Sequence, residues 1–249
     1  MKKMLSLVIL FIFGLMTYPA VSQADIYMKR KQHTDAVKIM GMAQPATDVI
    51  EEIWITKKGL RSDGPQKSMI MLTDKQKVIM IDHATKTYFE KSLNMNDMMP
   101  KTGDGESQKR AAAMQGMMKN MMKMDASVQP TNEKKKIKGW MCKKYILTMN
   151  TFAGATTNEV WATEDLKVDQ KLYDKLASSV TSFMPDMGNT IKGLQEEMKK
   201  IKGVQVKSIS TQNIMNQTRT STTELIEYKE KKAPKNLFQI PKGYTKKAM

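Results

Sequence analysis

VIEEIWIT, residues 49–56, is the stretch on which the fold class turns. It is built from β-branched and aromatic residues without a glycine or proline, the composition of a pleated, half-buried strand. Lys57-Lys58-Gly59 supplies a turn into a second extended run, Leu60 to Asp63. Working outward, Lys67 to Thr73, Lys77 to Asp82 and Thr87 to Lys91 read as further short strands, separated by Asp74-Lys75-Gln76 and by Asp82 to Lys86. Upstream, Ile26 to Thr34 and Ala36 to Met42 begin the β-structure, ahead of a turn at Gln44-Pro45-Ala46. Turn signals spaced by about 8 to 12 residues mark an antiparallel meander.

The pattern changes between Asn94 and Ala126. Met114, Met117, Met118, Met121 and Met122 recur at i, i+3, i+4, i+7 and i+8, one face of a helix spanning residues 108–123, with Lys, Asn and Gln opposite. Strands resume at Val128 to Lys134, Ile137 to Asn150 and Thr156 to Thr163. A second helical block covers residues 169–202. Leu172, Leu176, Val180 and Phe183 share one side, Pro185 and Gly188 interrupt it, and Ile191, Leu194, Met198 and Ile201 continue in register. Val204 to Thr211 and Gln217 to Glu230 return to the sheet. This order predicts an α+β fold: a curved antiparallel sheet forming an incomplete β-barrel covered on one face by helices, as a single domain over residues 25–249. Such a two-layer gap is a natural seat for an apolar ligand.

The first 24 residues bear on the compartment. Lys2 and Lys3 precede an uncharged run, Met4 to Met16, then Pro19 and the small-residue pattern Ser22-Gln23-Ala24, which predicts a secretory signal peptide cleaved before Asp25 and a periplasmic destination. The run is short of the roughly 20 residues of a membrane span, and Asp25 occupies the position where a lipoprotein would carry its acylated cysteine. The chain has 41 Lys and Arg against 25 Asp and Glu, a net charge of +16. That excess favours anionic partners such as phospholipid head groups, while export removes nucleic acid from consideration. The lysines are nevertheless spread along the chain, as expected also of solvated faces that keep an exported protein soluble. The single cysteine, Cys142, cannot form an internal disulfide and reads as a small buried apolar residue.

Six fragments occur in a fixed order: DIYMK (25–29), EEIWITKKGLRSD (51–63), IDHATKTYFE (81–90), GWMCKKYILTM (139–149), EVWATEDL (159–166) and LFQIPKGY (237–244). Together they resemble a bacterial family of exported domains of unknown function. That family is similar in architecture to the outer-membrane lipoprotein carriers of the Lol pathway, which implies an incomplete β-barrel with a helical cover and an acyl-bearing cargo. The resemblance brings no binding residue with it.

The methionines point the same way on physical grounds. Methionine is unbranched and polarizable, so a surface lined with it repacks around acyl chains of differing shape, whereas leucine would fill the same face with better-defined rotamers. The expected lining of an apolar ligand, a lipid or an acylated protein, is Met114, Met117, Met118, Met121, Met122, Leu172 and Leu176, with Trp54 from the sheet. Packing alone is the competing account of that helix face, and of Trp54, Trp140 and Trp161 on their strands. Thioether sulfur is also a soft ligand for Cu(I) or Ag(I), so Met95, Met98, Met99, Met117 and Met118 form an alternative metal set, to which His83 or Cys142 would have to be added. A third alternative is a structural envelope protein filled by its own side chains.

Enzymatic chemistry has little to draw on. The chain has two histidines, His33 and His83, and His83, at the end of a strand, is expected to be a turn residue with a solvated ring. There is no Gly-rich phosphate loop, no nucleophile elbow and no cysteine pair at metal spacing, so no cofactor is expected. Glu51-Glu52 and Glu196-Glu197 are adjacent in sequence and diverge in either a strand or a helix, so neither pair is an acid–base couple.

Overall fold

The computed structural model describes residues 25–39, 42–92, 124–151, 154–166, 193, 196–214 and 217–247. Its strands in chain order are β1 (Ile26–Thr34), β2 (Val37–Ile39), β3 (Met42–Gln44), β4 (Thr47–Thr56), β5 (Gly59–Asp63), β6 (Lys67–Leu72), β7 (Lys77–Asp82), β8 (Thr87–Ser92), β9 (Met124–Ile137), β10 (Trp140–Thr151), β11 (Gly154–Thr163), β12 (Val204–Ile214), β13 (Gln217–Glu230) and β14 (Thr245–Lys246). Twelve of them form one open sheet in the order β14-β8-β7-β6-β5-β4-β1-β13-β12-β11-β10-β9, and β2 and β3 form a separate hairpin. All pairings in the large sheet are antiparallel except that of β14 with β8. Two meanders, β4 to β8 and β9 to β13, are therefore joined through β1, which pairs with β4 on one side and β13 on the other.

This corrects the expected α+β class. Among the described residues the chain is nearly all β, and helical backbone is confined to position 193 and a turn at 196–198. Among the described residues no helical layer lies across the sheet, which by itself is neither an α+β sandwich nor a helix-covered half-barrel. The predicted helix over 108–123 and residues 169–192 of the second block lie outside the described residues. The described end of that block is helical at 193 and 196–198 and closes in a turn at 199–200; Met198 and Ile201 pack against Val128, Tyr145, Leu147 and Val160. The Glu197 carboxylate accepts the Val128 backbone N–H at 2.6 Å. That contact covers part of β9, an edge strand further protected by Pro130 and by Lys134 to Lys136.

Local backbone chemistry sets the hairpins. Residues 137–150, expected as one strand, are split by a two-residue turn in which Lys138 (φ 49°) and Gly139 (φ 96°) both adopt positive φ, as the twist of a tight hairpin demands. Gly203 (φ 85°) meets the sheet so closely that a Cβ would stand 1.9 Å from the Thr163 carbonyl oxygen. The chain entering β12 therefore requires glycine there.

Candidate functional site

Register assigns each side chain to one of two sheet faces, because cross-strand partners share a face and neighbours along a strand alternate. On the first face Tyr27, Trp54, Arg61 and Ile70 are successive partners across β1, β4, β5 and β6, and Ile79 follows on β7. This face is covered by the C-terminal segment, residues 231–247, which runs as a strap from the end of β13 to β8. Leu237 and Phe238 pack on Tyr27 and Trp54, while Phe238, Ile240 and Tyr244 pack on Ile70, Ile79 and Ile81. The Arg61 guanidinium donates to the carbonyl oxygens of Leu237 (2.6 Å) and Gln239 (2.9 Å). Asp25 accepts the Ala233 N–H at 2.9 Å, and the Lys231 ammonium stands over the rings of Tyr27 (4.2 Å) and Trp54 (4.9 Å).

His83 stands in the turn after β7, as expected, but its ring is half-buried and bonded to the strap instead of solvated. Its Nε2 lies 2.7 Å from Ser68 Oγ and its Nδ1 2.8 Å from the Tyr244 hydroxyl. A serine bonded to a histidine has the makings of an activated nucleophile, but Ser68 is 2% exposed and its hydroxyl is closed to a substrate. The trio fastens the strap instead. Beyond it, β14 pairs with β8, and Glu90 bonds Lys246 (2.9 Å) and Lys77 (3.1 Å). Lys246, then Lys77, hold the Glu90 carboxyl below its ordinary value of 4.5. A depressed carboxyl stabilises the fold above its unfolded-state pKa and loses that contribution as pH falls through the folded one. We expect amide exchange at Thr245 and Lys247, which donate to the Lys86 and Tyr88 carbonyls, to accelerate as pH drops below about 4.5, after correction for intrinsic rates. Glu90→Gln should remove that pH dependence, and an unchanged profile would contradict the assignment.

Past the strap, the first face is charged. Lys29–Glu52 (3.2 Å), Lys31–Asp48 (3.2 Å), Lys207–Glu224 (2.9 Å) and Lys144–Glu159 (3.1 Å) form a ladder across the sheet. These surface pairs, half-buried except for Lys31–Asp48, contribute little stability individually, but they satisfy part of the basic excess within the molecule.

The opposite face carries the candidate site. Leu60 pairs with Met71 and Met71 with Val78, while Met69 pairs with Met80 and Met80 with Phe89. These side chains form a contiguous, half-buried apolar field across β5 to β8. It continues through Leu60 and Met71 into the core cluster of Ile26, Met28, Ile53, Ile55 and Leu225. Farther along the same face β12 and β13 turn polar, with Ser208, Ser210 and Gln212 facing Thr223, Ser221 and Arg219.

Of the lining expected from sequence, Met114, Met117, Met118, Met121, Met122, Leu172 and Leu176 lie outside the described residues. Trp54 is described, but it sits under the strap, on the other face from the methionine field, at 8% exposure. Met95, Met98 and Met99 of the alternative Cu(I) set also lie outside. The two side chains named to complete that set are engaged elsewhere: both His83 ring nitrogens are hydrogen-bonded, and Cys142 is buried, its thiol pushed up by desolvation. Among the described residues no group of three or more His, Cys, Asp or Glu could hold a metal ion. Met69, Met71 and Met80 were missed because KSMIML (67–72) and KVIMID (77–82) are apolar at nearly every position. The pleat separates their two faces, and only the register shows which face the strap leaves uncovered.

A family model described as Domain of unknown function (DUF4412) matches residues 35–244. The chain belongs to that family. The DUF4412 span includes both meanders and the strap as far as Tyr244 and leaves out β1, the strand that joins the two meanders. The comparison with curated proteins finds no match.

Proposed function

We propose that this is an exported, non-enzymatic protein that binds the acyl chain of a lipid, free or attached to a protein, against the methionine-bearing face of its sheet. The observation that carries this reading is the field of Leu60, Met69, Met71, Val78, Met80 and Phe89, half-buried and bordered on the same face by Ser62, the partner of Met69, and Lys91, the partner of Val78. Three flexible thioethers in one field suit a guest without a fixed shape. The basic excess would bring the protein to anionic membrane surfaces where such a guest resides.

The test is uptake of a fluorescent fatty acid by the delipidated mature protein. Replacing the cross-strand pair Met69 and Met80 by lysine places two charges in the field and should weaken binding by about tenfold or more. Ile50→Lys, at a 40% exposed position on the other face, should bind as the parent does. Absence of uptake by the parent, or equal binding by both variants, would refute the proposal.

A further inference from the structure

We infer that the β9–β10 hairpin, together with the turn ahead of β12, docks the protein on an anionic lipid bilayer; the inference rests on the membrane encounter in the reading above and not on where the acyl chain binds. Lys134 pairs with Lys143 and Lys136 with Met141 across the hairpin, so these four side chains share one of its faces. Ile137, Trp140 and Cys142 alternate with them and pack into the core. The hairpin is thus anchored by one face, while Met141, 54% exposed, has a lysine opposite it and another two residues along its strand.

A second segment adds to this patch. The Lys202 backbone N–H donates to the Tyr145 hydroxyl at 3.3 Å, and the Lys143 ammonium stands 5.7 Å from the centroid of the same ring. Exposed Lys202 is thereby brought beside the hairpin from far away in sequence. The charge gathered here is not neutralised from within. Among the described residues, Lys138 takes Glu224, Lys144 takes Glu133 and Glu159, and Lys199 and Lys200 take Glu196 and Glu197. Lys134, Lys136, Lys143 and Lys202 stand in no ion pair with a described residue. Asp165, which accepts the Met141 N–H at 3.0 Å, is the acid at the border of the patch.

The residue types select a bilayer as the partner. Every cation of the patch is a lysine, a point charge without the fork that arginine offers to one fixed carboxylate or phosphate, and so suited to headgroups that move. Lysine stems let the ammonium groups stay at headgroup level while the Met141 thioether enters beneath them. One exposed apolar side chain is far short of the roughly 800 Å² per partner of a stable protein interface.

The experiment sediments the mature protein with vesicles of phosphatidylglycerol and phosphatidylcholine in equal parts, and with phosphatidylcholine alone. The parent should bind the first, less so as salt is raised, and not the second. Replacing Lys134, Lys136, Lys143 and Lys202 together by glutamine should weaken binding by about a hundredfold or more, from about fivefold per lysine. The same replacement at Lys38, Lys67, Lys86 and Lys242, exposed positions outside the patch, removes equal charge and should cost no more than severalfold. Met141→Ser should lose severalfold for the vesicles and nothing for soluble polyglutamate. Equal losses in the two quadruple variants, or parent binding to polyglutamate as tight as to the vesicles, overturn the dock. So does a parent that does not prefer the anionic vesicles. Fatty-acid uptake by these variants should match the parent's, so the acyl reading stands or falls on its own titration.

Discussion

A chain ending at Lys232 is expected to lose cooperative folding of the β4–β8 half of the sheet. The strap supplies Leu237, Phe238, Ile240 and Tyr244 to cover Trp54, Ile70, Ile79 and Ile81, of which Ile70 is 0% and Ile81 1% exposed. Removing it uncovers side chains on both sides of the contact. At on the order of 1.5 kcal/mol for each large apolar side chain, the loss is comparable to the whole stability of a domain, about 5–15 kcal/mol. The Arg61 guanidinium also loses two carbonyl acceptors, and His83 loses one of its two partners. Urea unfolding followed by tryptophan fluorescence and dye binding reads the result: a broad transition and an exposed apolar surface are expected. A truncated chain that unfolds with the parent's midpoint and slope would show that the strap is ornamental. Tyr244→Phe isolates the fastening, and the lost hydrogen bond to His83 should cost about 1 kcal/mol.

The strap also shows where legibility of the fold ends. The strand runs could be read because their signals are local: Ile26–Thr34, Lys77–Asp82 and Gln217–Glu230 have the boundaries that β-branched content and turn residues indicate. The cover of the sheet is a tertiary matter. LFQIPKGY has no helical or strand period, yet its apolar residues fill the strap side through contacts far away in sequence, and Arg61 donates to two of its carbonyl oxygens, those of Leu237 and Gln239. The assumption that an amphipathic helix must close a sheet overlooked this extended alternative. The same limit applies to the site. Methionines crowded in one window, 95–122, are conspicuous in sequence, whereas Met69, Met71 and Met80 become a surface only when β6 and β7 pair in register. Lys143 and Lys202 are likewise far apart in sequence and meet only around Tyr145.

Trp54→Ala is expected to cost about 3–5 kcal/mol of stability and to leave acyl binding by the folded protein unchanged. The indole is 8% exposed, its ring centroid is 5.0 Å from that of Tyr27, and Lys231 stands over both rings. Truncation to alanine thus opens a cavity under Leu237 and removes an aromatic face from a cation at the start of the strap, where it leaves β13. Both losses fall on the face opposite the methionine field, since Trp54 alternates along β4 with Ile53 and Ile55 of the other core. The measurement pairs a urea midpoint with a fatty-acid titration under conditions where the variant is still folded. A lowered midpoint with intact affinity assigns Trp54 to the strap. A variant as stable as the parent but unable to take up the fatty acid would instead move the binding site to the strap side, because burial and chemistry on the two faces are separated by one layer of backbone and a ligand between strap and sheet would have to displace Leu237 to enter.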